Sequence, residues 1–138
     1  MNRVTADSNI FISAFLRGGK PLQLLELARA GQIELAITED ILRETGRVLG
    51  TKFHVSSEDV QQFRDQIIGF AKLVTPTEGL DVVKTDSTDN RILECAVAAG
   101  SDTVVSGDVD LLQMASFRGI KIVKVSEFLA GFQSRGRS

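Results

Sequence analysis

The sequence predicts an α/β domain, a three-layer α-β-α sandwich with a central, mostly parallel sheet. Three observations predict it. Short apolar runs alternate with stretches of helical spacing along the chain. The apolar runs are dense in Val and Ile with little polar alternation, as strands covered on both faces are. The length, 138 residues, and a composition 43% hydrophobic and 25% charged suit one globular domain with a single core.

NRVTA (2–6) reads as the first strand, and NIFISAFL (9–16) starts a helix. LQLLELARAG (22–31) has helical spacing and a Gly stop. IELAI (33–37) is a second strand, after which Thr38 can cap the helix EDILRETGRVL (39–49). Ser56 and Asp59 have capping-box-like spacing ahead of a helix VQQFRDQIIGFAKLV (60–74). LDVVK (80–84) is a short strand or an extended piece. DNRILECAVAAG (89–100) is a helix closed by Gly100, and DTVVS (102–106) a strand. DLLQMASF (110–117) reads as a helix and IKIVKV (120–125) as a strand, and Ser126 caps a last helix through Phe132. The domain is expected to span 1–132, with the polar QSRGRS (133–138) as a flexible tail.

Composition narrows the function classes. Trp and Tyr are absent, so base-stacking platforms are poorly provided for. A net charge of −2 and a pI near 5.4 argue against a protein held on nucleic acid by bulk charge, although a local basic rim is compatible with an acidic site. The apolar runs are far too short to span a membrane, and the N-terminus lacks the order of a signal peptide. With a single cysteine, Cys95, no internal disulfide can form, and these features together suggest a cytoplasmic protein.

Sheets of this kind place their sites just beyond the carboxyl ends of the strands. Asp7 follows the first strand there, Asp108 and Asp110 follow DTVVS, and Asp89 opens the helix leading into it. Glu44 falls on the flank of a helix whose inward face is Ile41, Thr45, Val48 and Leu49. If their strands are neighbours, these acids meet at one edge. Gathered carboxylates repel one another and resist ionisation, so a compensating cation is expected. With one His and one Cys, a zinc site is disfavoured; magnesium or manganese suits oxygen ligands. Each acid also has a plainer reading. Asp89 and Asp108 could cap their helices and Glu44 could be solvated; Asp110 and Asp86 are secondary candidates, with surface placement favoured for Asp86. Asn9 could order Asp7 or only close a local turn; Ser106 could place a hydroxyl near the acids or only end a strand. His54 reads as solvent-facing and Cys95 as a small core residue. There is no phosphate-binding glycine motif and no nucleophilic triad.

The residues resemble the PIN domain family, metal-dependent ribonucleases that include the VapC-type toxins. The resemblance runs from about Val4 to Phe132. Asp7 with Asn9 in ADSNIFISAF resembles the family's opening Asp-x-Asn, and Glu44 stands where the family carries its helix glutamate. Asp89 in DSTDNRILECAVAAG matches the third acid, and Asp108 in VVSGDVDLL the fourth. Asp110 matches an additional acid, and Ser106 stands where Thr is more usual. Each motif alone is weak; four in order are specific. The resemblance implies a three-layer fold and RNA cleavage dependent on Mg2+ or Mn2+. It assigns Asp7, Glu44, Asp89 and Asp108 to catalysis and metal binding, with Asp110 assisting and Asn9 and Ser106 supporting. It also implies an antitoxin partner and a homodimer. Arg43, Arg47 and Arg91, near these acids in sequence, are candidate RNA contacts; their alternative is a solvated helix face. Two rival readings are a PIN fold that binds without cleaving and an aspartate-based phosphoryl-transfer domain; Asp7-Ser8-Asn9 fits the second poorly.

Overall fold

The computed structural model describes the backbone of residues 2–136 and the side chains as far as Phe132. A six-stranded sheet lies at its centre, in the order β3-β2-β1-β4-β6-β5. The first four neighbouring pairs run parallel, and β5 alone is antiparallel to its neighbour.

β1 (Asn2–Ala6) and β2 (Ile33–Ile37) form as the sequence predicts. Between them, α1 (Ser8–Arg17) is followed directly by α2 (Gly19–Arg29), which starts three residues before the expected Leu22. Pro21 lies in its first turn, where a missing N–H is harmless. α3 (Glu39–Thr51) is capped as expected, with Thr38 Oγ1 accepting from Ile41 N at 3.2 Å. Ser56 Oγ likewise accepts from Asp59 N at 3.1 Å and starts α4 (Ser57–Phe70).

Four sequence expectations are corrected here. The helix predicted through Val74 ends at Phe70, and Lys72–Leu73 form a two-residue edge strand, β3, on β2. Of the two readings of residues 80–84, a short strand or an extended piece, the strand does not form; the N–H groups of Leu80, Val82 and Val83 are held by side chains of the next helix, α5 (Ser87–Ala99). After β4 (Thr103–Val105), the helix expected over 110–117 is α6 (Val109–Met114) and then a second short strand, β5 (Ser116–Phe117). β5 turns back onto β6 (Ile120–Val123) through Arg118 and Gly119, both at positive φ, as a type I′ hairpin turn requires. In both misread stretches, pairing with an existing sheet edge outweighs a local helical pattern. Finally, α7 (Val125–Gly136) begins one residue before Ser126, which therefore lies in its first turn instead of capping it. α7 also continues past Phe132 to Gly136, over most of the stretch read as a tail, and residues 137–138 lie outside the described residues.

Val4, Ala6, Leu35, Ile37, Val104 and Val105 are almost fully buried, as a sheet covered on both faces requires. α5 packs across β1, β2 and β4, and α2 packs on β2 and carries α1 and α7. Thr5 faces α5, where its hydroxyl meets Ser101 Oγ at 2.9 Å and Cys95 Sγ at 3.7 Å. Gly100 ends α5 in the left-handed region, with φ of 65°, so that Ser101 N can reach Ala96 O. From β1 the chain proceeds to β2 and β3; from β4 it proceeds the opposite way, to β6 and β5. The crevice beyond the carboxyl ends of β1 and β4 is therefore the topological switch point.

Candidate functional site

β1 and β4 are neighbours in register, with Ala6 opposite Val105, and Asp7 N donates to Val105 O. Asp7 and the Ser106–Asp108 turn therefore emerge side by side. A cleft of about 410 Å³ opens there, lined among others by Asp7, Asn9, Arg43, Glu44, Arg47, Asp86, Asp89, Arg91 and Asp108.

Asp7 is buried and caps α1, with Oδ1 accepting from Ile10 N at 3.1 Å. Its Oδ2 accepts a short hydrogen bond from the Ser106 hydroxyl, which in turn accepts from Asp108 N at 3.0 Å. One fully buried serine thus ties the first acid to the fourth. Burial pushes the Asp7 carboxyl above its ordinary value; the Asp108 charge adds to this, and the bonds from Ser106 and Ile10 oppose it. Asp108 Oδ1 caps α6, accepting from Asp110 N and Leu111 N. Capping and site placement are thus not alternatives for Asp108, whose cap bonds all fall on Oδ1.

Asp89 differs. It is 5% exposed, and its Oδ2 is buried with no hydrogen-bond partner among the described residues. It does not cap α5. That position belongs to Asp86, whose Oδ1 accepts from Thr88 N at 2.9 Å and from Thr88 Oγ1 at 2.6 Å. Burial pushes the Asp89 pKa up to about 7, reinforced by hydrogen bonding and repulsion from Asp108, then by the charges of Asp86 and Asp7. Asp86, Asp89 and Asp108 each offer an oxygen, all within 4.8 Å of one another. Asp86, expected on the surface, therefore joins the acids.

The other predicted residues divide. Glu44 lines the cleft, but both its oxygens are held by Arg47, at 2.8 and 3.2 Å. Asp110 does not line it; its Oδ2 accepts from Thr85 Oγ1 at 2.6 Å. Asn9 is exposed at the cleft wall. Arg43 lines the cleft while paired with Asp40 at 3.1 Å. Arg91 also lines it, yet its Nη2 is spent on Glu94 at 2.6 Å and on Leu80 O. His54 is exposed, at a φ of 56°. Cys95 is fully buried, and its thiol is pushed up to about 11 by burial, so it is a core residue.

Asp86, only a secondary candidate in the sequence and favoured there for the surface, lies in the cluster, whereas Asn90 and Glu94, which hold residues 80–83, were not singled out. A signal for Asp86 was present: it is the Asp followed by Ser-Thr-Asp, a strong N-cap placement, and assigning it the cap frees Asp89. No such signal marks Asn90 and Glu94, whose partners are backbone groups. The donor set at the crevice suits a hard divalent cation. Its atoms are carboxylate oxygens, one is buried without a partner, and the charges repel one another.

Comparison with known proteins is consistent with this geometry. The PIN domain family model matches residues 3–110. No curated protein sequence matches the chain significantly. Among solved structures, a chain of VapBC2 from Rickettsia felis, crystallised bound to a DNA fragment from its promoter, superposes with a TM-score of 0.62 at 17% identity. The match covers 87% of this chain and 96% of that one.

Proposed function

The chain belongs to the PIN domain family, and on that premise we propose that it is a metal-dependent endoribonuclease, the toxin component of a toxin–antitoxin pair. The observation that carries the reading is Asp89, a buried acid with an oxygen that has no hydrogen-bond partner among the described residues, clustered with Asp86 and Asp108 at the switch-point crevice. A fold that leaves such a carboxyl uncompensated has reserved it for a cation.

Asp89 and Asp108 would hold Mg2+ or Mn2+, with Asp7 and Glu44 acting directly or through water and Asp110 assisting from behind. The ion, when bound, supplies charge neutralisation at the phosphate and acidifies a water for in-line attack. The chain's own groups set the conditions for this. Ser106 keeps Asp7 and Asp108 in fixed relation through one hydroxyl. Burial and the neighbouring acids raise Asp7 and Asp89 above the usual carboxylate range, and a bound cation would favour their ionised forms. Asn9 at the wall orients water or substrate. Arg47 and Arg43, exposed at the rim, meet the phosphate backbone, whereas Arg91 is engaged with Glu94 and contributes less. The rim makes RNA binding by a protein of net charge −2 reasonable.

The likeness to a chain of VapBC2 supports an antitoxin partner; a homodimer and a cytoplasmic setting belong to the same proposal and rest on the family resemblance alone. Among the described residues no helix is long and apolar enough to cross a membrane. The test is cleavage of a mixed RNA panel with Mg2+ or Mn2+, comparing wild type with Asp7→Asn. Cleavage lost in the variant supports the site; equal cleavage by both removes the assignment. Cation binding without cleavage of any RNA favours a PIN-fold binding module instead.

A further inference from the structure

We infer that Asp86, which lies outside the acid set named above, is a direct ligand of the divalent cation together with Asp89 and Asp108. This rests on the metal-dependent reading and deepens it.

Proximity is the first argument: the three oxygens lie within 4.8 Å of one another. The second is independent of proximity: Asp89, 5% exposed, brings an oxygen with no hydrogen-bond partner among the described residues. The third is the availability of Asp86 itself. Its cap bonds all fall on Oδ1, and Oδ2 accepts no hydrogen bond among the described residues. The expected helpers are occupied by comparison, Glu44 by Arg47 and Asp110 by Thr85.

The fourth argument is how firmly Asp86 is placed. The segment before it has no strand partner, yet its backbone is fastened. Asn90 Oδ1 accepts from Val82 N and Val83 N, and Asn90 Nδ2 donates to Val83 O, all at 2.8 Å. Glu94 accepts from Leu80 N at 2.7 Å. Thr85, next to Asp86, donates to Asp110. The segment is therefore pinned before Asp86, and α5 begins immediately after it. A carboxylate fixed on both sides loses little freedom on binding a cation, as preorganised ligands should. Asp110, on this view, serves the site by anchoring Thr85.

The experiment is a Mn2+ titration of the purified full chain, with free Mn2+ read by electron paramagnetic resonance and the metal-free urea midpoint measured alongside. Asp86→Asn and Asp86→Ser both keep an N-cap acceptor, so the helix start survives while the charged ligand is removed. The expected result is a Kd for Mn2+ weakened about tenfold or more in both variants, with the metal-free midpoint unchanged. Wild-type affinity in both, with binding lost in Asp108→Asn, overturns the inference and leaves the metal-dependent reading standing. Wild-type affinity in Asp89→Asn and Asp108→Asn as well removes that reading, and this inference with it.

Discussion

Helix α5 carries two buried acids five positions apart, Asp89 and Glu94, each 5% exposed. Their surroundings are opposite. Glu94 Oε2 accepts from Leu80 N and from the Arg91 guanidinium, so its charge is matched. Asp89 lies beside Asp108 and Asp86, and its Oδ2 has no partner among the described residues. Equal burial therefore does not mean equal role. Glu94 fastens a loop, and Asp89 is left uncompensated among the described residues. Burial of an acid identifies nothing by itself; what the acid lacks does.

Matched amide substitutions should separate the two most sharply. Asp89→Asn should lower RNA cleavage by about 10²–10³-fold or more, the scale of losing a principal electrostatic group. The same change should raise the metal-free melting temperature at pH 8, because it removes a charge that burial and three acids disfavour. Glu94→Gln should do the reverse to stability. It leaves Arg91 without its counter-ion and should cost about 1–3 kcal/mol in urea unfolding. Equal and same-signed stability effects would break the comparison.

A smaller effect is carried by pH. Asp89 has a folded pKa of about 7 against an ordinary value of 3.8, so the native state binds this proton more tightly than the unfolded chain does. Its contribution to stability is complete below about pH 4 and is lost as pH rises through about 7. Metal-free wild type should therefore lose stability relative to Asp89→Asn across that window in paired thermal melts. Mn2+ affinity should rise over the same range, because the cation displaces the proton. A parallel pair of melting curves would remove the assigned cause. The smallest effect belongs to the rim. Arg47→Ala should leave the urea midpoint unchanged, since its pair with Glu44 is exposed, while raising KM for RNA with kcat nearly constant.

Much of the fold was legible because it follows from pattern. The dense Val and Ile of IELAI and DTVVS mark covered strands, and Thr38 and Ser56 cap where a side-chain oxygen before a helical run should. The misread stretches, Lys72–Leu73 and Ser116–Phe117, are short edge strands whose existence depends on the neighbouring strand. The acids were legible as strand-end and helix-start residues. Their partners were less so: the i,i+3 spacing of Glu44 and Arg47 is a local signal for their pair, but nothing local announces that Thr85 reaches Asp110 across 25 positions.

By itself, the sequence determined the alternation of strands and helices, the motif order Asp7, Glu44, Asp89, Asp108, and the oxygen-rich donor set that disfavours zinc. These follow from residue type and local spacing. Only the tertiary structure decided which acids meet. It set β1 beside β4, gave the α5 cap to Asp86 and so released Asp89, drew Asp86 into the cluster and left Asp110 outside it. The reason is physical. Hydrophobic periodicity is a property of neighbouring residues, whereas the ionisation and pairing of a buried carboxyl depend on charges that chain topology brings within a few ångströms.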